Sequence, residues 1–212
     1  MADSASRHVL TEAVWPADGA GLWVRRAVLL VLGVIALAVS AKISVPVWPS
    51  PVPITLGTFA VLTIGAAYGP RLGLATMLGW LFLGAVGFDV FQNSSSGATG
   101  LAYMMGATGG YLVGYLLATA FLGWAARRGW DRSVPGMAGA LLVGNALIYV
   151  PGLLWLGYLI AGGLFDPAKY ASVWDQTLAW GLTPFLIGDA IKLALAALTV
   201  PGGWTIVGSA RG

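Results

Sequence analysis

An apolar run from about Thr177 to Val200 is long enough to cross a bilayer. Yet it carries a carboxylate, Asp189, and an ammonium, Lys192, three residues apart. Spacing of i and i+3 sets both side chains on one helix face. A charge at the bilayer centre costs about 2.5–3.5 kcal/mol even on the lenient insertion scales. The pair is therefore expected to face the protein interior or a cavity, holding each other, a ligand or water. A purely structural ion pair is the alternative. Read as one continuous helix, the run sets the pair about two to three turns below its outer end, roughly 10–18 Å deep at 1.5 Å per residue.

Composition agrees with a membrane setting. Of the 212 residues, 58% are hydrophobic and only 9% charged, against about 25% charged in soluble domains. Mean hydropathy is +0.83. Such a chain reads as a polytopic membrane protein. It contains no cysteine, which excludes disulfides, thiolate metal sites and cysteine nucleophiles. The single histidine, His8, lies in the polar N-terminal segment, so histidine-based metal or general-base chemistry is not expected. The net charge of +3 comes from loop arginines and does not indicate nucleic-acid binding. No G-x-x-x-x-G-K-[ST] motif occurs, so the chain cannot hydrolyse ATP by P-loop chemistry. No cofactor and no metal are expected.

The pattern predicts an all-α membrane protein, a bundle of six transmembrane helices. Residues 1–21 read as a flexible cytoplasmic lead, residues 22–200 as the membrane domain and residues 201–212 as a short cytoplasmic tail. The predicted helices are about Leu22–Val45, Ile54–Tyr68, Arg71–Gly87, Gly110–Ala126, Val134–Ile160 and the opening run, with an interruption expected at Pro151-Gly152. Four prolines within residues 46–53 force an extended connection. The segment Phe88–Gly109 is rich in Ser, Gly and Thr but also holds aromatics and methionines. It reads as a loop that folds back to line a cavity, where irregular backbone is shielded from lipid.

Six spans put Arg7, Arg25, Arg26, Arg71, Arg127, Arg128, Arg132 and Arg211 on one side, against Lys169 on the other. By the positive-inside rule both termini are then cytoplasmic. The Pro-rich turn, the Ser/Gly loop and the loop around Asp166 all face outside.

A pocket beneath those loops would offer one carboxylate, one ammonium with three donors, and the amides of Gln92 and Asn93. Its walls would be aromatic. That composition suits a small, partly polar molecule captured from outside. Tyr111 and Tyr149 are further binding candidates, with a plain membrane-interface role as the alternative. The same alternative holds for Trp48, Trp155 and Trp174. Thr108-Gly109-Gly110 reads equally as a close-packed helix start, and Arg71 as a topology determinant.

Four stretches carry a resemblance. They are Val52–Phe59, Gly69-Pro70-Arg71-Leu72-Gly73, Gly106–Tyr111, and Pro184–Lys192 with its Gly-Asp-x-x-Lys core. In order and spacing the chain resembles the BioY family, the biotin-binding S components of energy-coupling factor (ECF) transporters. It departs from the family's usual residues at Gly57 and Ala107. The resemblance implies a six-helix protein of the bacterial cytoplasmic membrane that captures biotin. It implies that Asp189 and Lys192 belong to the biotin site, with Asn93 as the polar contribution of the loop between the third and fourth helices. It implies docking through small residues of the first helix, here Ala36, Ser40 and Ser44, onto a transmembrane coupling protein that works with two ABC-type ATPase subunits. Packing within the bundle is the alternative for that ladder. Assembly with further copies of the chain, and action without dedicated partners, both remain open.

Three readings of other classes compete. A retinal protein would explain a lysine and an aspartate in the last helix, but such proteins have seven spans. A membrane enzyme using Asp189 as a base lacks any partner arrangement. A purely structural subunit leaves the charged pair beneath polar loops unexplained. Another vitamin on the same fold is the nearer alternative to biotin.

Overall fold

The computed structural model describes residues 8–48, 50–92 and 97–209. These are mostly helical. In chain order they form α1 (Leu10–Val14), α2 (Gly19–Lys42), β1 (Ser44–Val45), β2 (Ile54–Thr55), α3 (Gly57–Ala85), α4 (Gly100–Met104), α5 (Gly109–Arg127), α6 (Val134–Leu159), α7 (Val173–Gly181) and α8 (Leu186–Ser209). Among the described residues, four helical stretches are long and apolar enough to cross a membrane: Gly19–Lys42, Gly109–Arg127, Val134–Leu164 and Val173–Gly208.

The α3 stretch is two helices joined at a sharp break. Gly69 has φ 75° and ψ 175°, outside any helical region, a conformation glycine adopts without steric cost. Pro70 then opens the second arm, where its missing N–H is harmless. The arms fold back on each other, since a Cβ on Gly73 would lie 3.7 Å from the Gly65 Cα. The outer parts of both arms, with Gly57 in the first and Trp80 in the second, thus reach the same end of the bundle and line one cavity there.

Helix α5 runs through the middle, packed on α3 and α6, while α8 lies on α6 and α3. Glycines permit this closeness, as small residues do between membrane helices. A Cβ on Gly110 would collide with the Pro151 carbonyl and Trp155, and one on Gly123 with the Gly69–Pro70 backbone. On Gly114 it would stand 2.6 Å from the Ile148 Cα. Helix α2 is peripheral and rests on α3. Its contact is equally tight, a Cβ on Gly33 standing 2.6 Å from Thr76 Cγ2.

Several sequence expectations change here. The all-α reading needs a small addition: Ser44 pairs with Thr55 and Val45 with Ile54 in an antiparallel strand pair that closes the Pro-rich turn. Helix α6 runs through Pro151 without interruption and ends in a π turn at Ile160–Leu164. The run from Thr177 is not one helix. It breaks into α7, a 3-10 turn at Thr183–Phe185, and α8, because Pro184 has no N–H to continue α7 and its ring would crowd the carbonyl four residues earlier. Residues 8–15, part of the lead read as flexible, carry the packed helix α1. Val9 is wholly buried, and the Thr11 hydroxyl donates to the Ala67 carbonyl at 2.9 Å. Arg127 grips the Glu12 carboxylate with two nitrogens at 2.7 and 2.6 Å. A helix of five residues leaves too short a periodicity to stand out in sequence.

Replacing Gly110 by Ala is expected to destabilise the fold by about 1–3 kcal/mol through overpacking. Gly139→Ala, in the interior of α6 where nothing lies within 4 Å, is expected to raise stability by about 0.5–1 kcal/mol. Thermal unfolding in detergent compares the two.

Candidate functional site

The break at Thr183–Phe185 decides where the charged pair sits. Asp189 occupies the first turn of α8, not a position several turns down a longer helix. The N-terminal end of a helix favours a negative charge, so the backbone itself helps hold the carboxylate. Asp189 and Lys192 are each only 6% exposed. Lys192 Nζ donates to Asp189 Oδ1 at 2.9 Å, and the Tyr149 hydroxyl donates to Oδ2 at 2.6 Å. Among the described residues each carboxylate oxygen thus has one hydrogen-bond partner and keeps acceptor capacity, and Lys192 keeps donors. Tyr111 stands edge-on to Tyr149, centroids 6.2 Å apart, and its hydroxyl donates to the Gly181 carbonyl at 2.8 Å. That bond ties α5 to the end of α7, just before the break.

These groups line one side of a cavity of about 700 Å³ of empty space, counted out to its open mouth. Much of the remaining lining is aromatic. Trp80 meets Phe91 edge-on at 4.9 Å between centroids, and Phe91 stacks on Tyr103 at 4.9 Å. Trp80 Nε1 donates to the Val90 carbonyl at 3.1 Å, fixing the ring to the segment after α3. The Phe91 ring fits because Gly84 has no side chain; a Cβ there would collide with it. Tyr115 joins these aromatics beside Trp80, and its hydroxyl interacts with Thr58 at the start of α3 and with Thr55 of β2. Val52, Pro53 and Thr55, brought in by the strand pair, complete the lining. The arrangement has the make-up of a ligand pocket: aromatic faces that suit a flat or apolar body, and one focused polar spot of opposite charges.

The structure brings Asp189, Lys192, Tyr111 and Tyr149 to this one cavity. Asn93 lies outside the described residues; its neighbour Gln92 is at the cavity. Thr108 lines the cavity just before α5, while Gly109 and Gly110 serve close packing. Trp155 is tied by Nε1 to the Gly106 carbonyl at 2.8 Å. The small-residue ladder is shorter than expected. Ala36 is exposed and Ser40 partly so on α2. That helix ends at Lys42, and Ser44 belongs to β1, where its hydroxyl accepts from Gln92 Nε2 at 3.4 Å. Trp80, Phe91, Tyr103 and Tyr115 were not singled out in sequence. Their signal, aromatics near predicted helix ends, is the same as that of lipid-interface residues.

The fold and the cavity define a helical membrane protein built to enclose a small molecule at one end. A family model described as BioY family matches residues 8–209. The chain is 32% identical over 170 residues to the probable biotin transporter BioY of Pyrococcus horikoshii, covering 80% of this chain and 90% of that protein. It is 33% identical over 162 residues to the biotin transporter BioY of Thermotoga maritima, covering 76% and 85%. A solved structure, the S-component for biotin from an ECF-type ABC transporter, matches with a TM-score of 0.68 at 21% identity. That match covers 87% of this chain and 93% of the other, a likeness of fold. The chain belongs to the BioY family.

Removing one member of the pair leaves a buried charge without its partner. Asp189→Leu or Lys192→Leu alone is expected to destabilise the protein by about 3–5 kcal/mol, and the double Leu variant to recover most of that loss. Chemical unfolding of the three variants in detergent checks the pattern.

Proposed function

We propose that this chain is the membrane-embedded biotin-binding S component of an ECF-type vitamin uptake system and captures biotin from the outer face. One observation carries the reading: in a chain of the BioY family, the buried Asp189–Lys192–Tyr149 constellation faces an aromatic cavity. Biotin's ureido ring has two N–H donors and one carbonyl. Asp189 accepts from the N–H groups, and Lys192 donates to the carbonyl or to the valerate carboxylate. Tyr149 holds the carboxylate's second oxygen, and Tyr111 orients Tyr149 through ring contact. The fused rings and the aliphatic chain lie against Trp80, Phe91, Tyr103 and Tyr115. Asn93 adds a polar contact from the loop before α4.

The reading assigns six spans, with the two arms of α3 counted separately because of the break at Gly69. The arginine-rich end is cytoplasmic, as are both termini. The protein resides in the bacterial cytoplasmic membrane. It works by binding and transport rather than catalysis. Ala36 and Ser40, on the lipid-facing side of α2, dock onto the transmembrane coupling protein, and two ABC-type ATPase subunits supply hydrolysis. Self-association is an alternative use of the same face.

Calorimetric titration of biotin into detergent-purified protein tests the proposal. Wild type binds tightly. Asp189→Asn keeps the shape but removes charge-assisted hydrogen bonds worth about 1.5–3 kcal/mol, a loss of roughly 10–100-fold in affinity. Tyr149→Phe, which removes one neutral donor worth about 1 kcal/mol, weakens binding less. Unchanged affinity in both variants would refute the role given to the pair.

A further inference from the structure

A second cavity, about 390 Å³ of empty space, lies at the opposite end of the bundle. Arg25 and Arg26 from the start of α2, Arg71 from the second arm of α3 and Arg127 from the end of α5 all line it. Glu12 is the one carboxylate among the described lining residues. Burial alone would raise the Glu12 carboxyl, but the hydrogen bonds and charge of Arg127 outweigh it and hold it below the usual range. Glu12 is therefore ionised at neutral pH and answers one guanidinium of four.

Arg25 is the informative residue. It is only 6% exposed. Its Nη1 donates to the Trp15 carbonyl at 2.9 Å, while its buried Nε has no hydrogen-bond partner among the described residues. No carboxylate among those residues lies within ion-pair distance of it. A buried cation without a counter-ion is costly, and a guanidinium fork matches the oxygens of a phosphate. The cavity also sits at a depth marked by exposed tryptophans: Trp15, Trp23 and Trp124 surround this end. Such residues mark the headgroup region, where basic pockets between membrane helices take lipid phosphates.

We infer that the Arg25–Arg26–Arg71–Arg127 cavity binds a phosphate group, that of an anionic phospholipid headgroup, at the end of the bundle opposite the vitamin cavity. Bound there, the headgroup joins the starts of α1 and α2 to the break in α3 and the end of α5. The same chemistry would accept soluble phosphate, and the test separates the two sources.

Full-length protein in an uncharged detergent is titrated with short-chain phosphatidylglycerol, short-chain phosphatidylcholine and inorganic phosphate, with binding read by calorimetry. Saturable binding of phosphatidylglycerol, absent for phosphatidylcholine, is the expected result. It weakens roughly fivefold with Arg26→Gln and again with Arg71→Gln. Arg128→Gln, whose guanidinium lies 4.0 Å over the Trp124 ring and does not line the cavity, leaves it unchanged. Inorganic phosphate that displaces the lipid supports the phosphate site and adds a soluble occupant. Arg25→Gln is made as well; should it fail to fold, Arg26→Gln and Arg71→Gln carry the test, with retained biotin binding as evidence of folding. The inference is overturned if phosphatidylglycerol binds no better than phosphatidylcholine, or if neither variant weakens it. Binding of an acidic peptide but of neither phosphate compound also overturns it, in favour of a protein partner.

Discussion

The ion pair between Asp189 and Lys192 is the constraint on which the rest of the structure depends. Two buried charges inside an apolar bundle need each other, further hydrogen bonds and shelter from lipid. The chain meets all three needs with local devices. Pro184 ends the preceding helix, so that Asp189 falls in the first turn of α8. Tyr149 on α6 reaches across to the second carboxylate oxygen. Tyr111 on α5 fixes the end of α7 through the Gly181 carbonyl. Helices α6 and α8 thus meet at one carboxylate, with α5 and α7 tied together beside them. Because its oxygens retain acceptor capacity, the same arrangement that makes the pair tolerable leaves it able to meet a ligand.

The walls follow from the second device, the break at Gly69. By turning back, α3 delivers the outer parts of both arms to the pocket, Gly57 and Thr58 from one arm and Trp80 from the other. Glycines then allow the helices to close in. Gly84 admits the Phe91 ring, while Gly110 and Gly114 let α5 lie directly on α6. The result is a two-ended molecule. One end encloses an aromatic cavity with a neutral charge pair. The other gathers Arg25, Arg26, Arg71, Arg127, Arg128 and Arg132 among tryptophans, with Arg132 stacked 3.5 Å over the Trp204 ring.

Much of this was legible in the sequence, for physical reasons. Lipid demands long apolar runs, so the helices announce themselves. A charge inside such a run is conspicuous, which is why Asp189 and Lys192 stood out. Gly69-Pro70 is a punctuation whose meaning is local. What sequence did not reveal depended on tertiary approach or on competition between local signals. The break near Pro184 was hidden because the apolar run continues through it. The strand pairing of Ser44 with Thr55 needed the intervening turn to be built, and it removed Ser44 from the helical ladder. Trp80, Phe91, Tyr103 and Tyr115 look like interface aromatics until the chain is folded. Tyr149 was a candidate, but its bond to a carboxylate forty positions away could not be read from spacing. Helix α1 escaped notice because five residues carry no periodicity.

The central claim is that the ligand's polar head is received by the Asp189–Lys192 pair. A structure of the protein with biotin bound tests it most directly. The account predicts ureido nitrogen or oxygen atoms within about 3.2 Å of the Asp189 carboxylate and the Lys192 ammonium, with the fused rings against the aromatic wall. Biotin seated elsewhere, or seated in the cavity with its polar atoms met by other side chains while the pair stays intact and apart, would contradict it.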